Sequence, residues 1–228
     1  MRVGAQPLGR PIDAHAARAA MRSARDGAWN CDLPASLEEV AAGVGVCRRC
    51  ELWRQARQGV PGRGLARAAL MLVGEQPGDA EDLAGAPFVG ASGRVLDAGL
   101  RRAGVPRDGV FVTNAVKHFR HLRRGGRRAY RTPAAGEVAA CRWWLEAERR
   151  LVRPKVVMAL GSTAALAVFG KATPVADNRG RAAALADHAQ GLVTFHPGYL
   201  LSLSDETAKR EAFGLFVTDL KLAWSLAG

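Results

Sequence analysis

Two carboxylates, Glu75 and Asp79, fall in the turn Gly74-Glu75-Gln76-Pro77-Gly78-Asp79, directly after a short apolar run. Two glycines and a proline force such a turn to be tight, so backbone amides there approach a ligand closely while the carboxylates share its rim. By itself a Gly-rich turn after a strand is equally an ordinary loop. Asn114 closes a second apolar run, and its carboxamide offers an acceptor and donors side by side, enough to read an amide-like edge. A turn-forming Asn fits that place as well. His196 precedes Pro197 at the end of a later, fourth run. An imidazole fixed there could stabilise a departing anion, although a lone His is more often structural. Cys47 and Cys50 form a Cys-x-x-Cys, which inside a cell denotes a metal, a cluster or a redox pair more often than a bridge. Cys141 lies far along the chain and Cys31 near its start.

These residues follow a regular alternation of elements. Ser36 with Glu39 three residues on reads as a capping box opening a short helix that leads to Cys47. Apolar runs at 69–73, 110–113, 156–160 and 192–195 read as buried strands. Helical spacing over 95–103, 137–151, 162–169 and 206–226 supplies the helices between and after them. The expected fold is therefore α/β, three layers of α/β/α around a central four-stranded, mainly parallel sheet. In such sheets ligands bind outside the carboxyl ends of the strands, which is where Glu75, Asn114 and His196 fall. Residues 1–34 read as a loosely held arm, and 35–228 as a single domain.

The chain has 33 Lys+Arg against 21 Asp+Glu, a formal charge of +12 and a pI near 10.7. That balance suits a polyanionic partner through counterion release, or simply a solvated basic surface. No apolar run reaches the ~20 residues that span a bilayer, so no membrane is expected as a partner. The first 30 residues lack the continuous apolar core of a secretory leader, and the expected place of action is the cytoplasm, at the nucleoid.

Taken together the motifs are more specific than any one of them. The stretch GEQPGDAEDLAGAPFVGASG, then VTNAVKHF, CRWWL and TFHPGYLL, resembles the uracil-DNA glycosylases of the iron–sulfur type, and GEQPGD with VKHF looks most like their X-type class. The resemblance covers roughly residues 44–224. It implies a DNA-repair hydrolase that cuts the N-glycosidic bond of uracil in DNA. Phe88, otherwise read as a core residue, would stack on the flipped base, and Asn114 would read its Watson–Crick edge. His196 would stabilise the departing base, with Glu75 assisting at the sugar; Gln76, Gly78, Asp79 and Arg128 complete the implied substrate-binding set. A target base must leave the stack before any side chain reaches its glycosidic bond, and an oxocarbenium-like sugar gains from a nearby carboxylate. The resemblance also implies a [4Fe–4S] cluster held by Cys47, Cys50, Cys141 and His118. The same donors could make a structural zinc site.

Two departures stand out. Between His118 and Glu137 lies FRHLRRGGRRAYRTPAAG, with Arg120, Arg123, Arg124, Arg127, Arg128 and Arg131. A solvated linker is the ordinary reading of such a run. In the X-type class this insertion lies beside the active site and carries a His that attacks the sugar and stays covalently attached to DNA. Tyr130 takes that place here. A phenol with pKa near ~10 is a weaker nucleophile than imidazole at neutral pH, so release of an abasic site by water is expected, with a Tyr130 adduct as the alternative. In His196-Pro197-Gly198-Tyr199-Leu200-Leu201-Ser202, Gly198 and Ser202 stand where the family usually has Ser and Arg, which points to single-stranded DNA as the preferred substrate of a monomeric enzyme. The competing class of function is a cluster-bearing protein that binds uracil or damaged DNA with weak or no excision.

Overall fold

The computed structural model describes residues 33–228, so the expected arm, with Cys31, lies almost wholly outside the described residues. From there the chain forms α1 (Leu37–Gly45), β1 (Arg63–Gly64), β2 (Leu70–Gly74), α2 (Asp79–Ala84), α3 (Ala91–Ala103), β3 (Val110–Asn114), β4 (His121–Arg124) and β5 (Arg127–Tyr130). It continues through α4 (Ala135–Val152), β6 (Val156–Leu160), α5 (Ser162–Phe169), α6 (Val175–Asn178), β7 (Ala183–Ala184), β8 (Gln190–Thr194), α7 (Pro197–Ser202) and α8 (Glu206–Ala227).

The four expected strands make the parallel heart of the sheet, in the order β3-β2-β6-β8. Strands β2, β3 and β6 are buried along their whole length, as a parallel sheet covered on both faces requires. Alternate side chains separate the two covering layers. Met71, Val73, Phe111, Val157, Ala159 and Val193 pack under α1, α4 and α5. Leu70, Leu72, Val112, Met158, Leu160 and Leu192 pack under α3, α7 and α8. The α/β/α sandwich is thus as read from the sequence, with one widening. Two-residue strands β1 and β7 add antiparallel edges to β3 and β8, making six strands. Pieces that short leave no periodicity to detect.

Helix boundaries follow local chemistry. Ser36 caps α1 by accepting from Glu39 N–H at 3.2 Å, and Glu39 reaches back to Ala35 N–H at 2.7 Å. Gly104 ends α3 in the left-handed conformation, as its place after the last apolar position requires. The Arg-rich segment is not a solvated linker: β4 and β5 pair antiparallel as a ribbon closed by Gly125-Gly126. Both glycines have positive φ, 54° and 77°, the geometry a two-residue hairpin turn demands. Among the described residues no helix is long and apolar enough to cross a membrane.

Candidate active site

The parallel strands deliver their carboxyl ends to one rim. Gly74 pairs with Asn114 across β2 and β3, Val73 pairs with Ala159, and Leu160 pairs with Thr194. Beyond these positions come Glu75, Gly161 and His196. Three interstrand steps separate Asn114 from His196, about 14 Å at the backbone from the usual spacing, room for one extruded nucleotide between them.

At one end of this rim Phe88 is buried and held at φ 57°, an outlying conformation for a bulky residue. A side chain on Gly74 would collide with Asn114 Oδ1 and lie 2.5 Å from Phe88 Cζ. The absent Cβ therefore lets the aromatic ring and the carboxamide meet over the strand end. Strain of this kind persists only where surrounding packing enforces it, and it concentrates at ligand sites.

Asn114 is held from behind. Lys117, fully buried, donates from Nζ to the Asn114 carbonyl at 2.9 Å, to Thr113 Oγ1 at 2.6 Å and to Glu148 Oε2 at 2.7 Å. Glu148, buried on α4, also accepts from Thr113 Oγ1 at 2.7 Å and from Gly62 N–H at 2.8 Å. A buried ion pair is tolerable only when its remaining valences are satisfied in this way. Neither Lys117 nor Glu148 was picked out from the sequence. Lys117 stands in the VKHF motif, but its role appears only with its partner on α4.

At the centre, Glu75 keeps Oε1 buried without a hydrogen-bond partner. Burial pushes its carboxyl up to about 7, drawn back only in part by the Thr163 hydroxyl. Thr163 Oγ1, also buried, stands close enough to ease that charge but outside hydrogen-bonding geometry. At the far end, His196 caps α7 with its ring: Nδ1 accepts from Gly198 N–H at 3.0 Å. That bond leaves Nε2 to carry the proton. Burial pushes the imidazole down to about 4, so it is neutral at physiological pH and presents a neutral N–H donor. Gly161, at φ 89°, lies against His196; a Cβ there would sit 3.0 Å from the His196 Cβ.

Four expected substrate-binding residues do other things here. Gln76 is buried and its carboxamide closes the hairpin root, accepting from Arg120 N–H at 2.8 Å and donating to the Arg131 carbonyl at 2.9 Å. Gly78 N–H is taken by Glu81 Oε2 at 3.0 Å, whose Oε1 binds Gly90 N–H at 2.7 Å. Asp79 pairs with Arg128 Nε at 2.6 Å. Arg128 also binds the fully buried Asp82. These contacts dock the hairpin on α2 beside Glu75. Tyr130, paired across the ribbon with His121, is exposed.

Three thiols behind the rim feel one another electrostatically. Cys47 Sγ accepts from Trp144 Nε1 and Cys141 Sγ from Lys117 N–H, each at 3.1 Å. Burial is the main reason the Cys141 thiol is pushed up to about 12 and Cys50 is raised, and both also feel Cys47. His118 follows Lys117, is buried, and keeps Nδ1 without a partner; burial lowers its pKa, against the pull of the Asp82 carboxylate. Among the described residues no three His, Cys, Asp or Glu side chains converge closely enough for a single metal ion. N–H donors aimed at two sulfurs are what thiolate ligands need.

Two outcomes follow. Lys117→Met leaves Glu148 in the core without its cation, held only by Thr113 and Gly62, and is expected to cost about 3–5 kcal/mol in urea unfolding. Glu75 has its folded pKa raised from 4.5 to about 7, so the folded state binds its proton more tightly. The resulting stability is complete below pH 4.5 and lost as pH rises through about 7. Glu75→Gln is therefore expected to gain stability over the wild type progressively across that window. Melting temperatures that run parallel at all pH would contradict the buried carboxyl.

Comparison with known proteins agrees with this geometry. Residues 61–221 match the uracil DNA glycosylase superfamily. The type-4 uracil-DNA glycosylase of Sulfurisphaera tokodaii is 36% identical over 137 residues, 60% of this chain and 59% of that protein. The type-4 uracil-DNA glycosylase of Thermotoga maritima is 36% identical over 166 residues, covering 72% and 83%. That of Pyrobaculum aerophilum is 35% identical over 162 residues, covering 68% and 79%. The chain thus spans less than two thirds of the first relative's length and about four fifths of the other two. With the matched segment running from β1 into α8 and carrying the whole strand-end rim, the chain belongs to the uracil DNA glycosylase superfamily.

Proposed function

We propose that this protein is an enzyme that excises uracil from DNA by hydrolysing the N-glycosidic bond. One observation carries the reading: a neutral imidazole with its proton on Nε2 and a buried, unmatched carboxyl oxygen share one strand-end rim. The bond between the sugar C1′ and the base N1 breaks, and its electron pair leaves with the pyrimidine. His196 Nε2–H donates to the oxygen on which that charge collects. Positive charge on the sugar is met by the Glu75 carboxylate, which takes a proton from the water adding to C1′. Uracil and an abasic site are the products. Phe88 stacks on the extruded base and Asn114 reads its edge. A carboxylate is required, so the rate is expected to rise with pH through about 7 and then level.

The finer reading keeps water as the nucleophile. Tyr130 lies at the end of a ribbon anchored next to Glu75, but a phenol is mostly protonated at neutral pH. Gly198 and Ser202 leave α7 without the polar and charged side chains that would help it invade a duplex, so single-stranded DNA is the preferred substrate. The chain acts as a single domain over 35–228, as a monomer inside the cell.

Cys47, Cys50 and Cys141, with His118 Nδ1 as the fourth donor, would hold a [4Fe–4S] cluster. Its part is structural: it fastens the loop after α1 to α4 and to the segment behind Asn114. Iron and acid-labile sulfide in the purified protein, both lost in Cys141→Ala, are the expected result; protein lacking both would remove the cluster from this account.

Excision is tested with uracil-containing oligonucleotides on a denaturing gel. Wild type is expected to leave alkali-labile sites, faster on single than on double strands. Glu75→Gln and His196→Ala should lose at least a hundredfold in rate, while salt-sensitive DNA binding survives. An intact substrate would leave only a binding protein. A covalent band that vanishes in Tyr130→Phe would replace water by the tyrosine, and equal rates on both substrates would end the single-strand preference.

A further inference from the structure

A groove of about 1290 Å³ opens far from the strand-end rim, between the C-terminal ends of α4 and α5 and the strap that carries β7. Arg153 and Pro154, which enter β6 from its amino end, line it. It therefore lies toward the opposite edge of the parallel sheet from Glu75 and His196. Its cations are Arg142, Arg149, Arg150, Arg153, Lys171 and Arg181, against two carboxylates. Those two are already engaged: Glu146 pairs with Arg142 at 2.8 Å and Asp187 with Arg149 at 2.6 Å. Arg150 donates to the Pro34 carbonyl. Arg153, Lys171 and Arg181 are exposed and have no carboxylate partner among the described residues.

One further observation sets this groove apart from a solvated basic surface. The Arg149 side chain is only 9% exposed, yet its Nε is buried without a hydrogen-bond partner, a cost that a ligand acceptor would relieve. Arg153 is the left-handed C-cap of α4, its N–H on the Arg149 carbonyl at 2.8 Å, so its cation stands at the helix end that borders the groove. Like charges gathered in a concavity raise the local potential and concentrate anions.

We propose that this groove binds the sugar–phosphate backbone of a nucleic-acid strand, as a second contact independent of the rim where the base is read. The ligand is a phosphate chain because the lining offers cations without a stacking platform. Phe169 is its one aromatic, and that ring packs on Gly191 and stays partly buried. Bases would need exposed rings. The segment 1–32 is a poor occupant, since its Arg2, Arg10, Arg18, Arg22 and Arg25 outnumber Asp13, Asp26 and Asp32. The inference rests on charge and shape and not on excision.

The test uses the full chain and undamaged single-stranded oligonucleotides, one short enough to occupy the rim alone and one long. Binding is followed by fluorescence anisotropy across a salt series. The triple variant Arg153→Gln, Lys171→Gln, Arg181→Gln changes exposed residues outside the excision rim. It is expected to lower the salt slope for the long strand by about 2, from about 0.7 per phosphate contact, and to weaken that binding at least tenfold. Short-strand binding and excision from a short uracil substrate should stay unchanged. An unaltered slope overturns the proposal. So does displacement of bound tripolyphosphate from the wild type by excess unlabelled tripolyphosphate alone and not by the long strand, which assigns the groove to a free polyanion. Should the triple variant melt early, Lys171→Gln alone is expected to lower the slope by about 0.7. Because the oligonucleotides carry no uracil, failure of excision leaves this result readable.

Discussion

Lys117 enters the core as a cation and meets a single carboxylate there. Its Nζ binds Glu148, Thr113 and the Asn114 carbonyl, its N–H binds Cys141 Sγ, and its carbonyl accepts from Val60 N–H at 2.8 Å. One residue thus links the end of β3, the thiol group, helix α4 and the segment that leads into β1. Desolvating two charges is costly, and the gain is that each partner must occupy one position for the valences to close. Rigidity at Asn114 follows from that constraint. A carboxamide that reads an edge by hydrogen bonds discriminates only as well as it is held.

The same logic orders the Arg-rich ribbon. Six like charges in one segment repel and would keep a free loop solvated. Arg128 turns inward to Asp79 and the buried Asp82, and Gln76 completes the backbone pairing between Arg120 and Arg131. Asp82 in turn accepts Arg57 N–H at 3.0 Å, so the acid is fully committed. The ribbon is then a fixed wall beside Glu75, with Arg123, Arg124 and Arg127 left outward where a polyanion would pass.

Burial acts on the acid and the base of the rim in opposite senses. It raises Glu75 and lowers His196, because in each case the charged form loses hydration. Near neutral pH the imidazole is uncharged while the carboxyl is close to half ionised. A neutral N–H donor and a carboxylate at one rim suit a leaving anion beside a cationic sugar. The carboxylate also weighs against stability above its shifted pKa, the common cost of a functional group held in apolar surroundings.

How much was legible follows from the range of each signal. Apolar runs, capping residues and glycine stops act within a few residues, so the four parallel strands, the long helices and the placing of Glu75, Asn114 and His196 at strand ends could be read from order alone. Phe88 became a site residue only by resemblance, since its strained backbone and its meeting with Gly74 are tertiary facts. The ribbon could have been suspected from Gly125-Gly126, but arginine content masked that turn. What the chain order could not decide is which polar groups remain free. Gln76, Gly78, Asp79 and Arg128 are engaged by Arg120, Glu81, Asp82 and one another, whereas Lys117 and Glu148, with no role assigned from the sequence, join in the core. Local sequence determines where a side chain starts. Only packing decides which partner reaches it first, because hydrogen bonds and charges in a dry interior are satisfied by the nearest group and not by the intended ligand.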